Sequence, residues 1–308
     1  MALLYKSDPE RGRRWRALFA EHAPDIEFRQ WPDVGNPSEI RYLLAWQPPE
    51  DIATLLPGLE VLFATSAGID QLDFDALPDT LPVVRMLDPS IEQGMIEYAT
   101  FATLWLHRHM ADYVRQQRDR HWQAHMLTPA GERRIGLLGL GRLGGAIAQH
   151  LAQYGFQVSG WARTPREMAG ITTYAGEAAL DDFLGRCNIL ICALPLTTET
   201  RGVLDRALFE RLPPGAALIN MGRGEHLVED DLTRALTTGQ LSGAVLDVLR
   251  EEPPASNHHF WHDPRILMTP HVAAMTQPDT AFPILLENLR RHQHGETMIG
   301  QVDRRRGY

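Results

Sequence analysis

The sequence predicts an α/β protein with two parallel sheets, one in each of two domains. Three observations carry this prediction. The chain has 308 residues, more than one ordinary hydrophobic core accommodates. Short apolar runs alternate with amphipathic stretches along the first third, the pattern of a parallel sheet with covering helices. From Arg133 the apolar runs lengthen and a glycine-rich turn follows the first of them, as in a doubly wound sheet whose strands are buried on both faces.

Taken in order, residues 2–5, 40–46, 61–65 and 83–87 read as strands. Between the first two, Trp15, Leu18 and Phe19 fall at helical spacing within 10–22. A long helix is expected over 91–109, with Ile96, Thr100, Thr103 and Leu104 on one face. A second, rich in Arg and Gln, is expected over 113–125. Further strands follow at 135–138, 158–161, 189–194, 216–220, 244–248 and 266–269, with a helix at 147–154 after the first. The last helix, 284–291, comes after this sheet is complete and is expected to return to the first domain. The first, substrate-binding domain is then discontinuous, residues 1–98 with 281–308, and the second spans 99–280. The crossings fall near 97–100 and 277–282.

Composition narrows the function. The chain is 44% hydrophobic and 22% charged, as soluble globular proteins are. No apolar run approaches the roughly 18 residues of a membrane span, and the start, Met1 to Asp8, turns polar too soon for a signal peptide. The net charge of −9 argues against a nucleic-acid partner, which requires a basic surface; Arg304, Arg305 and Arg306 read as a solvated tail. Two cysteines, Cys187 and Cys192, make no disulfide framework and suit a reducing, cytoplasmic compartment.

The strand Ile135-Gly136-Leu137-Leu138 runs into Gly139-Leu140-Gly141-Arg142-Leu143-Gly144. A Gly-x-Gly-x-x-Gly turn between a strand and a helix is a dinucleotide site of the Rossmann type. Gly139 makes the tight turn, Gly141 lets a pyrophosphate approach the helix amides, and Gly144 lets helix and strand pack closely. The second strand ends in Trp161-Ala162-Arg163-Thr164. An NAD site would place Asp or Glu at Ala162 to bond the ribose 2′-hydroxyl. Arg163 and Thr164 suit a 2′-phosphate instead, so NADPH is favoured, with NADH as the alternative.

Three motifs follow at strand ends: Asn220-Met221-Gly222-Arg223-Gly224, Asp247-Val248-Leu249-Arg250-Glu251-Glu252-Pro253 and Thr269-Pro270-His271-Val272-Ala273-Ala274. With the glycine turn and Leu194-Pro195-Leu196-Thr197, they make the chain resemble the D-isomer-specific 2-hydroxyacid dehydrogenase family over nearly its whole length. Ala45-Trp46-Gln47-Pro48-Pro49 and Trp161-Ala162-Arg163-Thr164 point toward the NADPH-preferring glyoxylate/hydroxypyruvate reductases of that family.

The resemblance implies two Rossmann-like or flavodoxin-like domains with the active site in the cleft between them. It also implies roles that chemistry supports. Reduction of a 2-oxo acid needs a hydride for the carbonyl carbon and a proton for the developing alkoxide. His271 suits the proton donor because imidazole titrates near neutral pH. Glu252, picked out from Glu251 by the following Pro253, would bond the other ring nitrogen and raise its pKa. Arg223 would bind the substrate carboxylate through its planar fork. Asp247 is the candidate for the nicotinamide carboxamide, Leu194 and Pro195 for the adenosine side, and Arg142, Leu143, Trp161 and Met221 for further cofactor contacts. In the first domain the turn Ser66-Ala67-Gly68-Ile69-Asp70 would offer Ala67 and Gly68 amides to the carboxylate, and Trp46 would cover the substrate. Met95 reads as helix packing. Family members form homodimers, with residues 101–125 as the contact and Trp122 reaching the partner.

The run Asn257-His258-His259-Phe260-Trp261-His262 looks metal-like but has no carboxylate at fixed spacing, so no metal is expected. Two other readings stay open: an NAD-linked dehydrogenase of the phosphoglycerate dehydrogenase type, and a dinucleotide-sensing, corepressor-like binding protein.

Overall fold

A computed structural model describes residues 1–69 and 71–303; Asp70 and the basic tail from Arg304 lie outside the described residues. In chain order the elements are β1 (Ala2–Lys6), α1 (Pro9–His22), β2 (Glu27–Gln30), β3 (Ile40–Ala45), α2 (Ile52–Leu55), β4 (Val61–Ala64), β5 (Val83–Val84), α3 (Pro89–His107) and α4 (Met110–Arg118). Then come β6 (Arg134–Leu138), α5 (Arg142–Gln153), β7 (Gln157–Ala162), β8 (Thr172–Ala175), α6 (Leu180–Leu184), β9 (Ile189–Cys192), α7 (Arg206–Phe209), β10 (Ala216–Asn220), α8 (Glu229–Thr238), β11 (Leu241–Leu246), β12 (Ile266–Met268) and α9 (Pro278–Gln293). The chain divides into two units, Met1–Gln93 with Met275–Tyr308, and Gly94–Ala274. Both boundaries fall a few residues before the positions expected from sequence, the first of them inside α3.

The first unit is a parallel sheet of order β2-β1-β3-β4-β5. Its strands are buried on both faces because alternate residues serve different layers. Leu3, Tyr5, Tyr42, Leu44 and Phe63 share one core with Trp15 and Phe19 of α1 and Phe282, Leu285 and Leu289 of α9. Leu4, Leu43 and Leu62 face the other way, onto Ile52, Leu56 and Leu72. Helix α1 starts where Asp8 accepts from the Arg11 amide (2.8 Å) ahead of Pro9, a sound N-terminal cap. The Phe19 and Phe282 rings meet edge-on at 5.1 Å, and Arg14 pairs with Asp279. The last helix thus belongs to the first unit. It begins at Pro278, well before the expected start, because Pro278 suits the first turn and Pro283 forfeits only one amide bond near that end.

Two other local differences have plain causes. β5 stops at Val84, since the Arg85 amide goes to Gly300 O (3.0 Å) and that of Met86 to Ser66 O (2.9 Å). β2 lacks an apolar run because, at the sheet edge, it buries only Phe28.

The second unit is a seven-stranded parallel sheet of order β12-β11-β10-β9-β6-β7-β8. The chain builds outward from β6 through β7 and β8, then returns to lay β9 on the other side and continues to β12. The loops after β6 and β9 therefore leave adjacent strand ends in opposite directions, opening the crevice where such sheets bind ligands. β9 and β10 are buried throughout, which is why both read as unbroken apolar runs. β8 leaves no such signal because it is a polar edge strand without a fully buried residue.

Helix α4 ends at Arg118, not His125. Beyond it, side chains take over the hydrogen bonding. The Gln123 amide donates to Gln116 Oε1 (3.2 Å), the His125 amide donates to Tyr113 Oη (2.9 Å), and the His125 ring stacks on His109.

Replacing Phe282 by Ala empties a site bounded by Trp15 and Phe19. We expect unit one to lose about 3–5 kcal/mol of unfolding free energy in urea. A loss under 1 kcal/mol would show that α9 does not complete that core.

Candidate active site and dinucleotide site

β6 delivers its last residue to Gly139, whose φ of +100° suits glycine. The Gly139 amide donates to Trp161 O (2.9 Å). A Cβ on Gly144 would lie 1.9 Å from Gly139 O, so only glycine lets α5 start this close to the strand. Gly141 caps α5 with no side chain bonded to the first-turn amides. A Cβ built on Gly141 meets nothing within 4 Å. Open space beside a glycine at the positive end of a helix fits a pyrophosphate. Beside it lies a pocket of about 340 Å³ whose lining includes Leu140, Gly141, Arg142, Arg166, Glu167 and Met168.

The other residues expected at this site sit on the same rim. Arg142, Arg163 and Thr164 are exposed, and Leu143 is half-buried. Leu194 and Pro195 leave the carboxyl end of β9, and Met221 is buried just past β10. Trp161 also holds the sheet edge together. Its indole N–H donates to Gly176 O (2.8 Å), strapping β7 to the turn after β8.

Arg223, Glu252 and His271 follow three neighbouring strands, β10, β11 and β12, and the structure brings their segments together. The His271 Nδ1–H donates to Glu252 Oε2 (2.8 Å). Glu252 Oε1 accepts from the Leu249 amide (3.0 Å), which aims the carboxylate. A Cβ on Gly224 would fall 1.9 Å from Leu249 O, so the loop carrying Arg223 packs directly on the loop carrying Glu252. Arg223 Nη1 donates to Gly222 O (2.8 Å).

These contacts set the charges. The hydrogen bond to Glu252 raises the His271 pKa above its ordinary 6.5; burial and the Arg223 charge oppose this and are outweighed. For Glu252, burial raises the pKa, but the bonds from His271 and the Leu249 amide prevail and lower it. Each group of the pair thus favours the charged form of the other, and both feel the Arg223 guanidinium charge.

His271 sits at φ 54°, a left-handed conformation rare for a residue with a side chain. Asp247, 1% exposed, explains how it is held. Its Oδ1 accepts from Thr269 Oγ1 (2.7 Å) and the Val272 amide (2.8 Å), and its Oδ2 from the Ala273 amide (2.8 Å). The His271 amide donates to Asp247 O (2.9 Å). Tyr98 of α3 extends this buried network, its hydroxyl 2.6 Å from Thr269 Oγ1.

In the first unit, Trp46 follows β3, and Ala67 and Gly68 follow β4, so these substrate-side candidates share one edge of that sheet. Ser66 Oγ donates to Gly68 O (2.6 Å), and Gln71 Nε2 donates to both Ser66 Oγ (3.1 Å) and Trp46 O (3.3 Å). Asp70 lies outside the described residues. Met95 is buried on α3, as helix packing requires.

Elsewhere, His258 pairs with Glu229 (3.2 Å) and His259 lies 2.9 Å from Thr233 Oγ1. Among the described residues no group of His, Cys, Asp and Glu is arranged to hold a metal ion. Burial pushes the thiols of Cys187 and Cys192 up to about 12, leaving them unreactive. No helix among the described residues is long and apolar enough to cross a membrane.

Sequence reasoning gave no role to Tyr98, Gln71 and His226. Each has a partner distant in the chain, Thr269 for Tyr98, the Trp46 carbonyl for Gln71 and the Pro195 carbonyl for His226, which no local motif marks.

A glycine-turn dinucleotide site beside an Arg, Glu and His set defines a nicotinamide-dependent oxidoreductase. Residues 100–273 match the family described as D-isomer specific 2-hydroxyacid dehydrogenase, NAD binding domain. A glyoxylate/hydroxypyruvate reductase A of Yersinia enterocolitica is 37% identical over 302 residues, covering 96% of each chain. A D-isomer specific 2-hydroxyacid dehydrogenase of Xanthobacter autotrophicus, solved with NADPH and MES, is 39% identical with a TM-score of 0.90, over 100% of this chain and 99% of that one. The NADPH-dependent glyoxylate/hydroxypyruvate reductase of Sinorhizobium meliloti, solved with NADP and sulfate, is 33% identical with a TM-score of 0.92, over the same shares. The chain belongs to the D-isomer specific 2-hydroxyacid dehydrogenase family, whose members are NAD(P)-dependent enzymes.

In the ligand-free protein, the His271 ring should titrate above 6.5 by NMR. Glu252→Gln should lower its midpoint, since the charge-assisted bond is the main cause of the rise. A midpoint that the substitution leaves in place would remove Glu252 as its cause.

Proposed function

We propose that the chain reduces small 2-oxo acids, glyoxylate and hydroxypyruvate, to their 2-hydroxy acids with NADPH, His271 acting as general acid. The observation that carries this reading is the 2.8 Å His271–Glu252 bond with the His271 pKa raised. That pair favours a proton on the ring, which reduction needs. Relatives named as glyoxylate/hydroxypyruvate reductases, one of them solved with NADP, support the substrate class and the cofactor.

Bound NADPH would supply the hydride. The amides from Gly139 to Gly144, with Arg142 and Leu143, would hold its pyrophosphate, and Arg163 and Thr164 its 2′-phosphate. Trp161, Leu194, Pro195 and Met221 would line its path. Asp247 would take the carboxamide with the acceptor capacity its three bonds leave. Arg223 would fix the substrate carboxylate and favour negative charge on the carbonyl oxygen. The proton would pass from His271 Nε2 to that oxygen, while Glu252 stays bonded to Nδ1 and steadies the ring. The amides of Ala67 and Gly68 would hold the far side of the carboxylate, with Trp46 covering the substrate.

A cytoplasmic setting suits the two buried free thiols. A homodimer suits the exposed apolar side chains of Phe101, Met110, Trp122, Met126 and Leu127, which a second copy would cover.

Steady-state assays with glyoxylate and hydroxypyruvate test the reading. His271→Ala should lower kcat by about 10²–10⁴-fold through loss of the acid; an undiminished kcat would end the proposed role. Arg163→Ala should raise the KM for NADPH about tenfold or more and leave that for NADH nearly unchanged, as loss of one charge-assisted phosphate contact requires. A wild-type preference for NADH would refute the cofactor assignment.

A further inference from the structure

We propose that His226 is a positioning residue that bridges the substrate arginine and the cofactor-side loop. The roles of those two segments are the ones proposed above. The His226 ring is fully buried, and both of its nitrogens are engaged. Nδ1 accepts from the Arg223 amide (3.0 Å), and Nε2 faces Pro195 O (3.3 Å). An amide can only donate, so Nδ1 carries no proton; a carbonyl can only accept, so Nε2 carries it. One neutral tautomer satisfies both neighbours. Cys192 Sγ lies 3.8 Å from Nδ1, at the end of β9.

The two partners leave neighbouring strands, Pro195 after β9 and Arg223 after β10. The ring is thus a strut between the loops that leave β9 and β10. One end fixes the residue proposed to grip the oxo acid, and the other fixes the loop proposed to line the dinucleotide. Thr200 Oγ1 also donates to Pro195 O (2.7 Å), so this loop is anchored on both sides.

Backbone bonds hold the chain here as well as the ring. The Gly202 amide donates to Glu225 O (2.8 Å), the Leu204 amide to His226 O (2.8 Å) and the Val228 amide to Leu204 O (3.1 Å). Removing the imidazole leaves this backbone ladder in place, but frees the Arg223 amide and one bond on Pro195. Small errors in placing a reacting group are costly, a shift of about 1 Å reaching a hundredfold in rate.

Three variants of the full chain separate the two ends of the strut. In His226→Asn, Oδ1 stands in for Nδ1 and accepts from Arg223, but the side chain is too short for Pro195. In His226→Gln, the amide nitrogen reaches Pro195 and no acceptor faces Arg223. His226→Leu loses both bonds. Losing one buried hydrogen bond should change the matching constant about tenfold. His226→Asn should weaken NADPH binding by fluorescence titration and spare the KM for glyoxylate; His226→Gln should do the reverse; His226→Leu should do both. Equal losses in all three, or none in His226→Leu, would overturn the proposal.

A second readout needs neither substrate nor cofactor. Nitrogen-15 spectra of the wild-type protein should show His226 with its proton on Nε2. A proton on Nδ1 would overturn the bridge whatever the turnover. Failure of the wild type to reduce glyoxylate would instead sink the proposed function, leaving the tautomer and the NADPH titration to decide the bridge.

Discussion

The candidate site depends on one buried carboxylate. Asp247 lies at the end of β11 and collects two backbone amides and a hydroxyl from the segment that follows β12. A carboxylate removed from water is costly unless fully bonded, and amide donors compensate it well. In return it holds Thr269 to Ala273 in a path that places His271 in the left-handed region. A lone residue does not stay there; its surroundings must fix it. Without that path the imidazole would not meet Glu252, and neither group would have its shifted pKa. The proton on the ring is therefore the far end of a chain of hydrogen bonds that starts in the sheet.

The electrostatics of the three side chains follow from this placement. Glu252 and His271 stabilise each other's charged forms, and the Arg223 charge lowers both pKa values. It disfavours protonation of the imidazole and favours ionisation of the carboxylate. A cation in this position limits how tightly the ring keeps its proton. An acid must release its proton within each cycle, so such a limit suits the proposed role.

What the sequence made legible follows from how local each constraint is. The glycine turn could be read directly, because Gly144 has no room for a Cβ beside Gly139. The buried strands β9 and β10 announced themselves as apolar runs. Arg223, Glu252 and His271 could be read because each carries chemistry in a short motif. The edge strands β2 and β8 could not, since an edge buries too little to leave a pattern. Helix α4 was extended too far because the bonds replacing it come from Tyr113 and Gln116, side chains that resemble ordinary helix surface. Asp247 was read as a cofactor ligand, while its work on the loop after β12 needs partners 22 to 26 residues further on. His226 is silent in sequence because Pro195, one of its two partners, lies 31 residues earlier.

The discontinuity of the first unit bears on how the protein is made. Its sheet is complete in sequence by Val84, yet the face that α1 covers in part stays unfinished until α9 supplies Phe282, Leu285 and Leu289. The ribosome delivers the whole seven-stranded unit in between. The nascent chain must therefore carry an unfinished, apolar N-terminal sheet while the second unit folds, so chaperone demand should fall on the part made first.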